Sequence, residues 1–324
     1  MTLQAPFPWF GGKRRVAPEV WAAFGDVPNY VEPFAGSLAV LLGRPKAHAA
    51  KIETVNDLDG YVSNFWRAIA ADPEATAHHA DWPILEPDLH ARHVWLVGQR
   101  ESLLRRLEGD PDYYDPKIAG WWVAGVCGWI GSGYCSGEGP WRSIDGELSL
   151  GDAGRGINKQ IPHLSNAGQG INKQIPHLGD AGQGIFEWFD TLATRLRRVR
   201  VASGDWTRVV TESVTTRHGL TGVFLDPPYG DEIEQTRVYA SDSGTVSTDV
   251  RAWCHENGGN PLLRIALCGY EGEGHDDLLD AGWTAHRWRA AGGYGGGRGG
   301  TGDANRVRER IYFSPACITE EGLF

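Results

Sequence analysis

The sequence predicts an α/β protein built on a doubly wound, mostly parallel sheet that one long helical and loop insertion interrupts. Three observations predict it. Short apolar runs alternate with helical patterns from residue 14 to about residue 71, the alternation stops between about 75 and 190, and it resumes from Val199 to Phe313. In such a sheet, ligands gather at the carboxyl ends of the strands.

Residues 14 to 24 read as a helix after a glycine turn, and Tyr30-Val31-Glu32 as a short strand. The tight turn Pro33-Phe34-Ala35-Gly36-Ser37 leads into an apolar helix, Leu38 to Leu42. A second unit follows: a strand from Ile52 to Val55 ending in Asn56-Asp57, then a helix through Tyr61, Phe65, Trp66 and Ile69. From Leu89 to Ile130 the periodicity is helical with no strand signal. The later strands are Val199 to Val201, Gly222 to Leu225, Arg264 to Cys268, Trp283 to Trp288 and Arg310 to Phe313, with a helix around Val250 to Glu256.

The interruption contains a repeat. Gly-Ile-Asn-Lys-Gln-Ile-Pro-His-Leu stands at 156 to 164 and again at 170 to 178, and a third start, Ala-Gly-Gln-Gly-Ile, at 181 to 185, a period of 14 residues. Two full copies are too few for a solenoid, so they read as a duplicated loop. It is either a polymer-touching surface carrying Lys159, Gln160, His163 and their copies Lys173, Gln174 and His177, or a tolerated insert in a surface loop. Residues 291 to 302, with eight glycines in twelve, either close over a ligand or link two strands.

The 324 residues, 41% apolar and 22% charged, describe an ordinary globule large enough for one α/β domain with an insertion. No run of about 18 apolar residues occurs, and no signal pattern opens the chain, so the expected location is the cytoplasm with no membrane contact. Cysteines 127, 135, 254, 268 and 317 form no Cys-x-x-Cys pair, which predicts buried reduced thiols and no metal site. A net charge of −10 excludes nonspecific coating of nucleic acid, so contacts with it must come from local patches. Two are visible: Arg195, Arg197, Arg198 and Arg200 at one helix end, and six arginines between 286 and 312. A solvated helix end explains the first equally well.

Asp226-Pro227-Pro228-Tyr229 directly follows the apolar strand Val223-Phe224-Leu225. A carboxylate that accepts from an amine, a stiff turn with a free Pro227 carbonyl and a stacking ring together grip a planar amine-bearing group. That is the chemistry of amino-methylation of a base, although an idle strand-ending turn is the competing explanation. Pro8-Trp9-Phe10-Gly11-Gly12-Lys13 offers glycine amides and a cation before a helix. Phe34, Ala35, Gly36 and Ser37 let a ligand approach the backbone, Asp57 ends the next strand, and Asp205 with Trp206 follows the Val199 to Val201 strand. Singly, each reads equally well as a turn, a helix cap or a core tryptophan. Together they stand after successive strands of one sheet.

On these motifs, in this order, the chain resembles the Dam-type DNA adenine N6-methyltransferases, which use S-adenosylmethionine (SAM). The resemblance implies a methyltransferase catalytic domain made of 1–74 and 191–324, with 75–190 as an inserted target-recognition region. It implies that Trp9, Gly12 and Lys13 contact SAM, that Phe34, Ala35, Gly36 and Ser37 line its methionine end, that Asp57 holds its ribose, and that Asp205 and Trp206 meet its adenine. Asp226 then lies where SAM and the target meet. Asp226 and the Pro227 carbonyl accept from the amine of an adenine flipped out of double-stranded DNA, Pro228 stiffens the turn, and Tyr229 stacks on the base. No metal is needed, and a monomer is the favoured state. The Asp at 226 favours adenine over cytosine N4 or RNA as acceptor; a catalytically silent nucleic-acid-binding protein is the alternative of a different class. The insertion departs from the Dam pattern, so no target sequence is implied.

Overall fold

In a computed structural model, the structure describes residues 3–7, 9, 13–48, 52–82, 85–129, 134–135, 141–144, 147–150, 184–228, 246–288 and 308–318. The repeat from 156 almost to its end, the glycine-rich stretch 291 to 302, Gly12 and Tyr229 lie outside them.

Seven strands form one sheet in the order β5-β2-β1-β6-β7-β9-β8. They are β1 (Asn29–Glu32), β2 (Ile52–Asp57), β5 (Val199–Ser203), β6 (Thr221–Leu225), β7 (Leu263–Tyr270), β8 (Thr284–Arg287) and β9 (Glu309–Phe313). The first five in spatial order pair in parallel. β9 runs antiparallel to both of its neighbours. Every residue of β1 and β6 is buried, as expected of central parallel strands covered on both faces.

Two cores flank the sheet. One collects Trp21, Phe24 and Tyr30 with Phe65, Trp66, Trp122 and Phe189; the other collects Val31, Trp206, Val223, Leu225, Leu267 and Tyr312. Val31 lies between Tyr30 and Glu32 but faces the opposite core, the ordinary alternation of a strand.

The helices of the first core are α1 (Ala17–Phe24), α2 (Ala39–Leu42), α3 (Gly60–Ala71), α4 (Pro73–Ala80), α5 (Glu86–Gly109), α6 (Pro116–Gly128) and α7 (Ile185–Leu196); α8 (Val246–Asn257) packs on the other face. Caps fix where several begin. Asp59 accepts from the Tyr61 N–H at 2.8 Å to start α3, and Asp115 accepts from the Ile118 N–H at 2.9 Å with Pro116 behind it to start α6.

The segment that interrupts the strand order holds α4, α5 and α6 and a two-stranded antiparallel hairpin, β3 (Trp141–Ile144) with β4 (Glu147–Leu150). Its helices are not a separate body, because Ile118, Trp122 and Val123 share the core of Phe65 and Phe189. α4, cut from α3 by the Asp72-Pro73 cap, and the hairpin are elements that periodicity alone did not show.

No helix among the described residues is long and apolar enough to cross a membrane. All five cysteines are free and buried. Among the described residues no cluster of His, Cys, Asp or Glu is arranged to hold a metal ion.

Candidate active site

Parallel pairing places the carboxyl ends of β5, β2, β1 and β6 side by side, and each ends in a singled-out motif. Backbone bonds join three of these ends: Ala35 N–H donates to the Asn56 carbonyl at 2.8 Å, and Gly204 N–H to the Asp57 carbonyl at 3.1 Å. Asn56 adds a brace. Its buried amide donates to the Pro33 carbonyl at 3.0 Å and to the Gly204 carbonyl at 2.9 Å, so one side chain ties the loops after β1, β2 and β5.

The turn after β1 is shaped for close approach. Gly36 has φ +44°, and a Cβ there would lie 2.3 Å from Trp9 Nε1, closer than any real contact. Trp66 Nε1–H donates to the Gly36 carbonyl at 2.9 Å from another side. Leu38, fully buried, also has a positive φ of 53°, an uncommon state for a branched side chain and one that persists only where its surroundings impose it.

Asp57 is half-buried at the end of β2. Its Oδ2 accepts from the Gly36 N–H at 2.8 Å and its Oδ1 from the Asp59 N–H at 2.9 Å, which leaves acceptor capacity on each oxygen. Burial first, then the neighbouring Asp59 charge, pushes its pKa up to about 7 against the pull of these donors. Leu58, immediately after it, is 45% exposed and gives the site an apolar surface.

After β5, Asp205 is exposed and accepts at Oδ1 from the Thr207 N–H at 2.9 Å, capping a 3-10 turn. Trp206 is only 7% exposed. Its ring packs against Phe34 at 6.0 Å and Trp253 at 6.4 Å, so it presents little face to a ligand and instead backs Phe34. Ser37 is half-buried beside Gly36, and Ala35 is buried.

At the exit of β6, Lys13 Nζ lies 2.9 Å from Asp226 Oδ1. Burial pulls the pKa of Lys13 down, but the Asp226 charge and the nearby Cys268 and Glu309 more than reverse this, and the ammonium is held charged. Trp288, just after β8 and in the same core as α1, has its ring centroid 5.4 Å from Lys13 Nζ, a cation–π contact. Pro227 is buried and Pro228 half-buried.

Glu32, at the end of β1 and 2% exposed, was not singled out from the sequence. Tyr30 O–H donates to it at 2.9 Å. Burial above all, with smaller contributions from Asp226 and Glu53, pushes its pKa up to about 8, although Tyr30 and the Leu41 N–H donate to it. An acid at a strand end one step before the glycine turn was its only sequence signal. Asn56, Trp66 and Trp288 likewise gave none that periodicity detects, since each acts on a partner distant in the chain.

The two arginine patches separate. Arg195 makes a two-pronged pair with Glu53 at 2.7 and 2.8 Å, and Arg197, Arg198 and Arg200 sit at the amino end of β5, opposite the motif-bearing end. Arg287, Arg308 and Arg310 stand at the motif-bearing end, beyond β7.

The arrangement fits a ligand with hydroxyl and amine donors and an apolar body. Asp57 and Asp205 offer acceptors, Leu58 and Phe34 offer apolar surface, and the backbone of Gly36 has no Cβ in the way.

Residues 9–83 match the family model described as D12 class N6 adenine-specific DNA methyltransferase. The match covers Trp9, Lys13, the Pro33 to Ser37 turn and Asn56-Asp57, and stops well before Asp226. A comparison with curated proteins gives no match.

Proposed function

We propose that this chain, whose residues 9–83 match the model of the D12 class N6 adenine-specific DNA methyltransferases, is an enzyme that transfers the methyl group of SAM to the exocyclic N6 of an adenine flipped into a pocket at Asp226. SAM supplies the activated methyl on a sulfonium, already a good leaving group. The chain's own part is to place two partners in line and keep water away.

The observation that carries this reading is the convergence of four loops at the carboxyl ends of adjacent strands, three of them tied by Asn56 and the fourth joined to Lys13 through Asp226. Asp57 accepts from ribose hydroxyls, since both of its oxygens are already oriented by backbone donors. Phe34 to Ser37 line the methionine end, with Trp9 and Trp66 clamping Gly36. Asp205 accepts from the adenine amine of the cofactor, and Trp206 fixes Phe34 from beneath.

Asp226 and the Pro227 carbonyl accept the two hydrogens of the target N6, which turns the nitrogen lone pair toward the methyl. Tyr229 stacks on the base. Lys13 holds Asp226 in one orientation, so the carboxylate is set before the base arrives. No group with a tuned pKa is required, because N6 would give up its proton to Asp226 or to water only after the new C–N bond has made the nitrogen cationic.

Calorimetry of SAM binding, followed by transfer of labelled methyl to duplex DNA, tests the proposal. Wild type labels DNA and Asp226→Ala does not while still binding SAM. Equal labelling by the two, or none by wild type, sinks it.

A further inference from the structure

Arg287 on β8 and Arg310 on β9 stand directly opposite each other in the antiparallel pair. Like charges in that position destabilise a sheet. Arg308 follows on the same rim, so three cations meet at the carboxyl end of β7.

Buried Glu309 on β9 lies between Arg308 and Arg310, and a half-exposed carboxylate faces them from the turn after β7. Glu271, 49% exposed in the turn after β7, takes a close ion pair from the buried Arg310 and a weaker one from Arg287 at 3.5 Å. The Arg287 side chain is 71% exposed, and pairs between two exposed groups contribute little. Arg308 directs Nε and Nη2 at the Glu271 backbone carbonyl, at 3.2 and 3.0 Å, with its guanidinium 5.7 Å from the Tyr270 ring centroid. Among the described residues Arg308 has no carboxylate partner. Glu271 thus answers the buried Arg310 and, only weakly, Arg287, whose guanidinium stays largely exposed in a chain of net charge −10.

The rim lies close to the reacting centre. Leu225 pairs with Leu267 on β7, Gly269 pairs with Arg310 on β9, and Arg310 with Arg287 on β8. Three strand spacings separate β6 from β8, roughly 14 Å, well inside one turn of a DNA duplex at about 34 Å.

We propose that Arg287 and Arg308 grip the phosphodiester backbone of the DNA beside the flipped base, and that Glu271 holds Arg287 by its weak ion pair until DNA arrives. This rests on the methyltransferase reading above. The exposed Arg287 exchanges its weak contact with Glu271 for a phosphate oxygen, while Arg308, already fixed by the carbonyl and Tyr270, needs no reordering. Arg310 stays with Glu271 and keeps the carboxylate in place. Contacts of this kind position a duplex without reading its sequence.

The test measures duplex DNA affinity of the full chain against salt concentration, with SAM affinity and methyl transfer measured alongside. For Arg287→Ala/Arg308→Ala, affinity falls roughly tenfold, equally for duplexes with and without the target adenine, and the log–log salt slope drops by about 2. SAM affinity is unchanged. Arg287→Lys/Arg308→Lys keeps most of the slope, and Glu271→Gln binds DNA more tightly.

Unchanged affinity and slope in the alanine pair, in an enzyme whose wild type methylates DNA, overturn this proposal alone. So does an equal loss in the lysine pair, which marks a structural role, or weaker binding by Glu271→Gln. A wild type that neither binds nor methylates DNA overturns the methyltransferase reading as well.

Discussion

Lys13 Nζ and Asp226 Oδ1, 213 positions apart in the chain, meet at 2.9 Å. The side chains are 6% and 19% exposed, so water screens the pair poorly. Removing one partner strips the other buried charge of its close counter-ion, which costs up to about 3–5 kcal/mol. Lys13→Met and Asp226→Leu are each expected to lower stability in urea, and the double variant to lose much less than their sum. Additive losses would show that the two are not coupled. Because the pKa of Lys13 is raised, its stabilisation is complete at neutral pH and fades only in strong alkali.

Gly36→Ala introduces a Cβ 2.3 Å from Trp9 Nε1 at a φ of +44°. Strain and collision together are expected to cost about 1–3 kcal/mol. SAM affinity should fall with stability, since the turn must open to accept the methyl group of alanine. Thermal melts and calorimetry on the same preparation check both; a variant that melts and binds as wild type refutes the tight turn.

Asp57 has a pKa pushed up to about 7, so its carboxyl favours the protonated form in the folded chain. The stabilisation from that raised pKa is present at acid pH and is lost as pH rises through about 7. Ligand binding runs the other way, because ribose hydroxyls donate to the ionised form. SAM affinity is therefore expected to rise with pH through this range, and Asp57→Asn to bind weakly and without pH dependence. A wild-type affinity that is flat between pH 5.5 and 8.5 counts against Asp57 as the hydroxyl acceptor.

Glu32, with its pKa up to about 8, follows the same sign for stability. Wild type should lose stability as pH rises through about 8, and Glu32→Gln should flatten that loss while keeping the neutral hydrogen bond with Tyr30. Melting temperature against pH for the two proteins decides this; parallel curves exclude Glu32 as the source.

Asn56→Ala removes two bonds to buried carbonyls, Pro33 and Gly204. Leaving those acceptors unpaired is expected to cost about 2–4 kcal/mol. The loops after β1 and β5 lose their common tie, so SAM affinity should fall more than tenfold, about 1.4 kcal/mol. Normal affinity in Asn56→Ala would show that the backbone bonds alone set the loops.

The sheet was legible because its strands are short apolar runs cut off by polar turns, as at Val223 to Leu225 before Asp226. α4 was not, because Pro73 starts it directly after α3 and the helical pattern barely breaks. Within the site, the sequence shows which residues end strands but not what they touch. Asp57 and Asp205 stand out by position, whereas the work of Asn56 depends on Gly204, 148 residues away. Trp206 looked like a stacking ring, and only the structure shows that Phe34 and Trp253 pack against it. Lys13 was legible as a cation before a helix, but its ion pair with Asp226, 213 positions on, was not.

The 148-residue separation of Asn56 and Gly204 also sets when the pocket exists during synthesis. Translation must pass β5 before the brace between the second and third loops can close, and β6 must follow before Asp226 reaches Lys13. Until then the family-matched N-terminal quarter of the chain holds only fragments of a binding site. A growing polypeptide therefore cannot bring these strand-end loops together until the distant strands have docked.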